Sequence, residues 1–338
     1  MKKTNSIISG TLPTDELDVT SPLEPQVEQR VLVFAPNHHG MRLDLALVGL
    51  VPEFSRNYLQ QLIEAGSVLI NGQVVGKASH KVKVSDVGLI ELRPTPQSQA
   101  FKAETMALDV VFEDAHVLVI NKPAGLVVHP APGNWSGTLM NGLLAHDPKA
   151  FELPRAGIVH RLDKDTSGLM VVARSRTVMD ALVRAIAARE VKRQYLAIGQ
   201  GSWIGPVKCM VEAAIGRDPS NRLRMAAVDL NLHPGKPAKT GFEMLSSGAQ
   251  ACLVHCTLHT GRTHQIRVHM AQLKHPLLGD ALYGGSTELG ITRQALHAYH
   301  LAFEHPVSGQ ALSFFADLPD DFSVALNGLG LKYNRHHK

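Results

Sequence analysis

The sequence predicts an α+β protein: a mixed or antiparallel sheet with flanking helices, preceded by a small N-terminal α/β domain. Three observations predict it. Between residues 41 and 92 two short amphipathic helical patterns lead into a tight hairpin signal. Residues 93 to 104, RPTPQSQAFKAE, have the composition of a linker. From 105 to 325 short apolar runs such as HVLVI, LMVVA and ACLVHCTLH outnumber the helical patterns, so strands dominate the larger domain. A chain of 338 residues, 44% hydrophobic and 19% charged, can bury a sizeable core in more than one domain.

Residues 1 to 30 mix Pro, Ser, Thr and acidic side chains without periodicity, which predicts a disordered tail. Leu43, Leu47 and Leu50 then recur at helical spacing. Ser55 is a good N-cap for a second helix with Tyr58, Leu59, Leu62 and Ile63 as its apolar stripe, and Gly66 ends it. In VLINGQVV, Asn71-Gly72 between apolar runs marks a two-residue hairpin. VVFED and HVLVI open the larger domain as successive strands, and NKPAG turns the chain. Thr138 to His146 and Thr177 to Glu190 are helical patterns, the second with Val178, Leu182 and Ile186 on one face. VKRQYLAI is a strand with Arg193 and Tyr195 on one side and Gln194 on the other.

Cys252, His255, Cys256 and His259 would put four metal ligands on one face of a helix. The segment ACLVHCTLH instead alternates as a strand, which sends the cysteines and the histidines to opposite faces. No metal site is expected there. GKPAKT, residues 235 to 240, is too short for a nucleotide-binding loop. In TGRTHQIRVHM, Thr263 is placed to cap a helix that buries Ile266, Met270 and Leu273 and projects Arg267 from its first turn. LPDDF near residue 320 closes the domain, and residues 326 to 338 look like a basic tail.

The net charge of +4 permits an anionic partner without requiring one. Three widely placed cysteines argue against a disulfide framework and for a reducing compartment. MKKTNSIISGTLP lacks the apolar run of a secretory signal, and no stretch has the length of a membrane span. A cytoplasmic protein without membrane contact is expected.

The densest chemistry lies in IVHRLDKDTSGLMVVA, residues 158 to 173, a polar loop between two apolar, strand-like segments. It holds two carboxylates, Asp163 and Asp165, among His160, Arg161 and Lys164, and Gly168 supplies the turn. A carboxylate among cations is a candidate nucleophile or base. Physical chemistry does not separate the two aspartates.

HRLDKDTSG resembles the H-R-L-D-x-x-T-S-G signature of the RluA/RluD family of RNA pseudouridine synthases. Two further strings are similar to family motifs: NKPAGLVVHP, at Asn121, Lys122, Pro123, Gly125, His129 and Pro130, and TGRTHQIRVHMAQLKHP. Residues 41 to 92 resemble the S-four-like RNA-binding domain. The resemblance implies that Asp163 is catalytic, that Arg267 pairs with it, and that Tyr195 is the family's active-site tyrosine. Arg161 takes the place of the residue that fills the space left by an extruded base. Arg42, Arg56, Lys122 and Arg262 become candidate RNA contacts, with Lys77, Lys81 and Lys83 on the small domain. The implied activity is isomerisation of uridines in large-subunit ribosomal RNA by a monomer, with no cofactor and no metal. The wording AGIVHRLDKDT resembles the RluD branch. A synthase of the RluC type and an RNA-binding assembly factor with vestigial chemistry remain the alternatives.

Overall fold

The structure is a computed structural model that describes residues 28–93, 101–131, 133–221, 223–287 and 290–334. The expected N-terminal tail up to residue 27 and most of the expected linker lie outside the described residues. The chain divides into two compact units at residues 95 and 96.

The first unit contains β1 (Glu28–Val33), α1 (Leu43–Leu50), α2 (Arg56–Glu64), β2 (Val68–Ile70), β3 (Gln73–Val74) and β4 (Val87–Leu92). Its sheet is antiparallel in the order β1-β4-β2-β3. Ser55 caps α2 as expected, its Oγ accepting from the amide of Tyr58 at 3.3 Å. Asn71 and Gly72 both take positive φ, 50° and 77°, which is what a hairpin joined by two residues requires. Leu43, Leu47, Leu59, Leu62 and Ile63 close a core against Val68 and Ile90. Strand β1 was not anticipated; its first three residues fall in the segment read as tail, and its edge position asks little of its sequence.

The second unit contains β5 (Val110–Glu113), β6 (Val117–Lys122), α3 (Leu139–His146), β7 (Ser167–Ala173) and α4 (Arg176–Ala188). It continues with β8 (Lys192–Gln200), β9 (Lys208–Glu212), β10 (Ile215–Arg217), β11 (Met225–Ala227), β12 (Gly235–Lys236), β13 (Lys239–Ser247) and β14 (Ala251–Leu258). The last elements are α5 (Gln265–Gln272), β15 (Leu296–Glu304), β16 (Ala311–Phe315) and α6 (Asp320–Gly328).

The main sheet runs β5-β6-β7-β15-β8-β14-β13-β9, with β16 paired to β15. Only the β7–β15 contact is parallel, so the sheet is mixed. Both faces are covered, which explains why HVLVI is apolar throughout rather than alternating. Leu118 and Ile120 join α3 and α5 on one face, while Val117 and Val119 join α4 on the other. Strand β14 divides its side chains as read: Cys252 and Cys256 are fully buried, and His255 lies near Glu243 and Tyr299 on the opposite side.

Two expectations need correction. The last dozen residues are not simply a tail, because α6 runs to Gly328 and Leu326 and Leu331 are buried against Phe322. The polar loop is also not held between two strands. Upstream of it Ile158 makes a single bridge to Val172, after a left-handed turn at Arg155 and Ala156. The loop thus folds back on β7 alone.

Candidate active site

The loop from His160 to Gly168 is tied down at successive backbone positions. Lys122 donates its ammonium to the carbonyls of Pro123, Leu126 and Lys164 at 2.7, 2.9 and 2.9 Å. Arg293 donates to the carbonyl of Asp165 at 3.0 Å while clamping Asp321 on α6. Ser167 bonds the buried His297 on β15 at 2.9 Å, and Val171 donates its amide to His160 Nε2 at 3.1 Å. Gly168 sits at φ +117°, and a Cβ there would overlap the backbone of Ala298. Only glycine fits, as the sequence suggested.

This frame corrects the assignment of Lys122 as an RNA contact. The side chain is 1% exposed and its three protons are spent on backbone carbonyls. Burial lowers its pKa to about 7. The three carbonyls oppose that shift, because only the ammonium form has a proton for each of them. Its role is to hold the loop.

Asp163, half-buried, faces a cavity of about 1150 Å³ that Tyr195, Arg267 and His264 also line. Arg267 Nη1 donates to Asp163 Oδ2 at 3.1 Å. Its other edge is fully committed: Nε and Nη2 reach the buried carboxylate of Asp280 at 2.7 and 2.8 Å. The ring of Tyr283 lies 4.9 Å from the guanidinium carbon. Burial alone would lower the pKa of Arg267, but the hydrogen bonds and charge of Asp280, with those of Asp163, raise it. Arg267 is therefore a fixed cation whose orientation comes from Asp280. Its site is prepared by Gly279, where a Cβ would overlap the backbone of Arg293.

Helix α5 carries Arg267, but its cap differs from the reading. The N-cap is His264, in the left-handed region at φ 57°, not Thr263. Gln265 closes the turn instead, its Oε1 accepting from the Arg262 amide at 3.0 Å and the Thr260 hydroxyl at 2.7 Å. The strained residue puts the His264 imidazole between Tyr283, bonded at 2.8 Å, and Asp163, 3.9 Å away. Ile266 and Met270 are buried as expected, worth about 1.5–3 kcal/mol each.

Tyr195 is buried on β8, and burial pushes its phenol up to about 12. It remains protonated at neutral pH. Arg193, on the same face, also lines the cavity. It is 7% exposed, its Nε has no hydrogen-bond partner, and no carboxylate among the described residues pairs with it. Arg161 and Arg262 are exposed at the cavity rim. Arg262 Nε also donates to the carbonyl of Pro237 at 3.0 Å.

In the first unit Arg42 and Arg56 converge on the fully buried Asp44, with closest contacts of 3.0 and 2.7 Å. Burial opposes ionisation of Asp44, but hydrogen bonds from Arg42, Arg56 and Gln60 hold its pKa well below the carboxylate range. The two arginines are half-exposed, yet one of their two charges is neutralised locally. As free phosphate contacts they are weaker than the sequence implied. Lys77, Lys81 and Lys83 are exposed.

Sequence reasoning brought Asp163, Tyr195 and Arg267 together correctly in space. It missed Asp280 and Tyr283, and gave no site role to His264 or to Arg193, which it had placed on the face of Tyr195. Asp280 lies in HPLLGDALYGG, where an acidic residue between a glycine and a Tyr-Gly pair is a legible turn. Nothing in that string says that the carboxylate reaches an arginine 13 residues earlier.

A carboxylate and a fixed guanidinium in a broad, arginine-rimmed cavity suit an enzyme that acts on one residue of a polyanion. Comparison with known proteins specifies the class. The RNA pseudouridylate synthase family model matches residues 116–272, and the S4 domain matches residues 41–87. The chain is 46% identical over 332 residues to the ribosomal large subunit pseudouridine synthase D of Neisseria meningitidis serogroup A, covering 94% of this chain and 86% of that one. It is 44% identical to the protein of the same name from Nitrosomonas europaea, covering 88% of this chain and 87% of that one. The chain belongs to the RNA pseudouridine synthase family, with an N-terminal S4 domain. Two solved human structures share the fold. RNA pseudouridylate synthase domain containing 1 aligns at TM-score 0.51 and 27% identity, over 63% of this chain and 84% of that one. Domain containing 4 aligns at 0.52 and 26%, over 66% and 94%.

Proposed function

We propose that this protein converts selected uridines of large-subunit ribosomal RNA to pseudouridine, with Asp163 as the group that acts on the sugar. The observation that carries the reading is the 3.1 Å charged hydrogen bond from Arg267 to Asp163 within the cavity. It aims a carboxylate at the open space and leaves its other oxygen free to react. The relatives' names supply the substrate class, and the S4 domain supplies an RNA-binding unit that such a substrate needs.

The reaction breaks the bond between C1′ and N1, turns the uracil, and joins C5 to C1′. Asp163 can attack C1′, as in a retaining glycosidase, or take a proton from the sugar. On either route the electron pair of the broken bond leaves with the uracil. As C5 joins C1′, Asp163 is displaced from C1′ on the first route and returns the sugar proton on the second; C5 then loses a proton and N1 gains one, so atoms and electrons balance without a cofactor. The target base must leave its stack first, and Arg161, exposed at the cavity rim, is the candidate to fill the gap. The working form we propose is a cytoplasmic monomer, since ribosomal RNA is in the cytoplasm and the three cysteines, unpaired within the chain, suit a reducing compartment. No helix among the described residues is long and apolar enough to cross a membrane.

Pseudouridines mapped across large-subunit ribosomal RNA, from cells with and without the protein, test the reading. Loss of defined sites that return with the wild-type chain supports it. An unchanged map refutes it.

A further inference from the structure

Arg193 raises a physical question that the roles assigned above leave open. A guanidinium removed from water normally has a carboxylate or several carbonyls around it, because the uncompensated charge is costly. Arg193 is buried to 93% of its surface (7% exposed) and has no ion-pair partner among the described residues. Its Nε has no acceptor at all. The other cations here are arranged differently. Arg267 has two carboxylates, Arg293 has Asp321 and three carbonyls, and Lys122 has three carbonyls. Among the described residues, Arg193 is the buried cation without such partners.

Its position suggests for what. Arg193 and Tyr195 lie on one face of β8, roughly 7 Å apart along the strand, and both line the cavity that holds Asp163. The cavity has a burial gradient. Arg155, Arg161, Arg189 and Arg262 are exposed at its edge, where RNA phosphates keep contact with water. A buried cation on the inner wall meets the part of the nucleotide that enters furthest. With C1′ at Asp163, that part is the base.

The uracil is neutral before reaction and anionic once the C1′–N1 bond has broken. The geometry points to Arg193 as the counter-charge for the departing uracil. It is unpaired at rest because its partner exists only during turnover. A cation of this kind binds the transition state better than the ground state, so it accelerates the chemical step rather than tightening binding. It also retains the freed base without fixing one edge, so the ring can turn to present C5. The electron pair of the broken bond resides on the uracil until C5 attacks C1′. Arg193 exchanges no proton and forms no covalent bond.

This inference rests on the synthase reading, so the test begins with wild-type enzyme on ribosomal RNA fragments. If wild type forms no pseudouridine, that reading fails and Arg193 is not at issue. With active wild type, Arg193→Gln and Arg193→Lys are compared in single turnovers at saturating enzyme. One RNA carries uridine at the target, the other 5-fluorouridine. Fluorine withdraws electrons and stabilises the uracil anion without help from the protein. Cleavage of the original glycosidic bond is read by digestion and mass spectrometry.

Arg193→Gln should slow cleavage of the uridine substrate by roughly 10²- to 10³-fold, as for loss of a preorganised charge, with RNA affinity nearly unchanged. The deficit should shrink at least about tenfold on the fluorinated substrate, in proportion to how little stabilisation that anion needs. Arg193→Lys should fall between wild type and Gln. Thermal unfolding of the Gln variant should match or exceed wild type, since an unpaired buried charge has been removed. Equal deficits on the two substrates would overturn the proposal. So would a loss confined to RNA affinity, which would make Arg193 a phosphate contact. A Gln variant that fails to fold would also overturn it, because a cation idle at rest does not hold the fold.

Discussion

At the scale of single residues, the two aspartates of the loop separate once their surroundings are known. Asp163 points at Arg267 and the cavity. Asp165 contributes to the frame through its carbonyl, which Arg293 holds at 3.0 Å, and a side-chain substitution leaves that bond intact. Asp163→Asn should bind RNA about normally and form no pseudouridine in a single turnover. Asp165→Asn should keep most of its activity. Equal, complete loss in both would show a coupled carboxylate pair and end the single-residue assignment. Arg267→Met is less simple than a deleted charge, because it strands the buried Asp280. It should lower stability by about 3–5 kcal/mol as well as turnover. Adding Asp280→Asn to Arg267→Met should restore most of the stability, measured by urea unfolding, and none of the activity. Recovery of activity in the double variant would mean that Arg267 only holds the fold.

At the scale of elements, the loop depends on the parallel contact of β7 and β15, where Ser167 faces His297 in register. His297 is fully buried, and burial, then Arg293, lowers its pKa to about 4. The unfolded chain binds this proton near pH 6.5 and the folded chain does not until about 4. The native state is therefore favoured above the unfolded value, and that advantage is lost as pH falls through 6.5 towards 4. The slope from one such group is at most about 1.4 kcal/mol per pH unit. His297→Asn, which keeps a partner for Ser167 but does not titrate, should flatten the stability curve in that window. An unaltered curve would assign the acid sensitivity elsewhere. Lys122 acts at the same scale, joining the turn after β6 to the loop before β7. Lys122→Met should cost roughly 3 kcal/mol or more by removing charged hydrogen bonds to buried carbonyls. The salt dependence of RNA binding should not change. A shallower salt slope would return Lys122 to the list of phosphate contacts.

At the scale of the whole molecule, each unit has its own buried cluster, Leu32 to Leu92 in one and strands β5 to β16 with their helices in the other. The catalytic unit alone, residues 96 to 338, should therefore fold and retain chemistry on short RNA. It should bind ribosomal RNA more weakly, and its affinity should fall less steeply with salt than that of the full chain. Fewer phosphates are neutralised when Lys77, Lys81 and Lys83 are gone, and each lost contact reduces the logarithmic slope by about 0.7–0.9. Because Arg42 and Arg56 share Asp44, the change should be nearer three or four contacts than five. Identical slopes would remove the electrostatic role of the S4 domain.

The sequence by itself determined what local chemistry can encode. Ser55 and Thr138 cap their helices through their own side chains, Asn71-Gly72 turns its hairpin, and the alternation in ACLVHCTLH makes a strand that parts the cysteines from the histidines. The charged loop around Asp163, with its glycine, was legible as a candidate, and its resemblance to the family signature marked it as the reactive one. Only the tertiary structure decided which charges are spent and which are free. Lys122, Arg42 and Arg56 read as contacts for RNA, yet each is engaged by an oxygen of the protein itself: backbone carbonyls 1, 4 and 42 residues away for Lys122, and Asp44 for the arginines. Asp280 and Arg193 were silent for the same reason. A charge has no range in sequence, and its meaning depends on burial and on partners that strand order and loop closure bring to it.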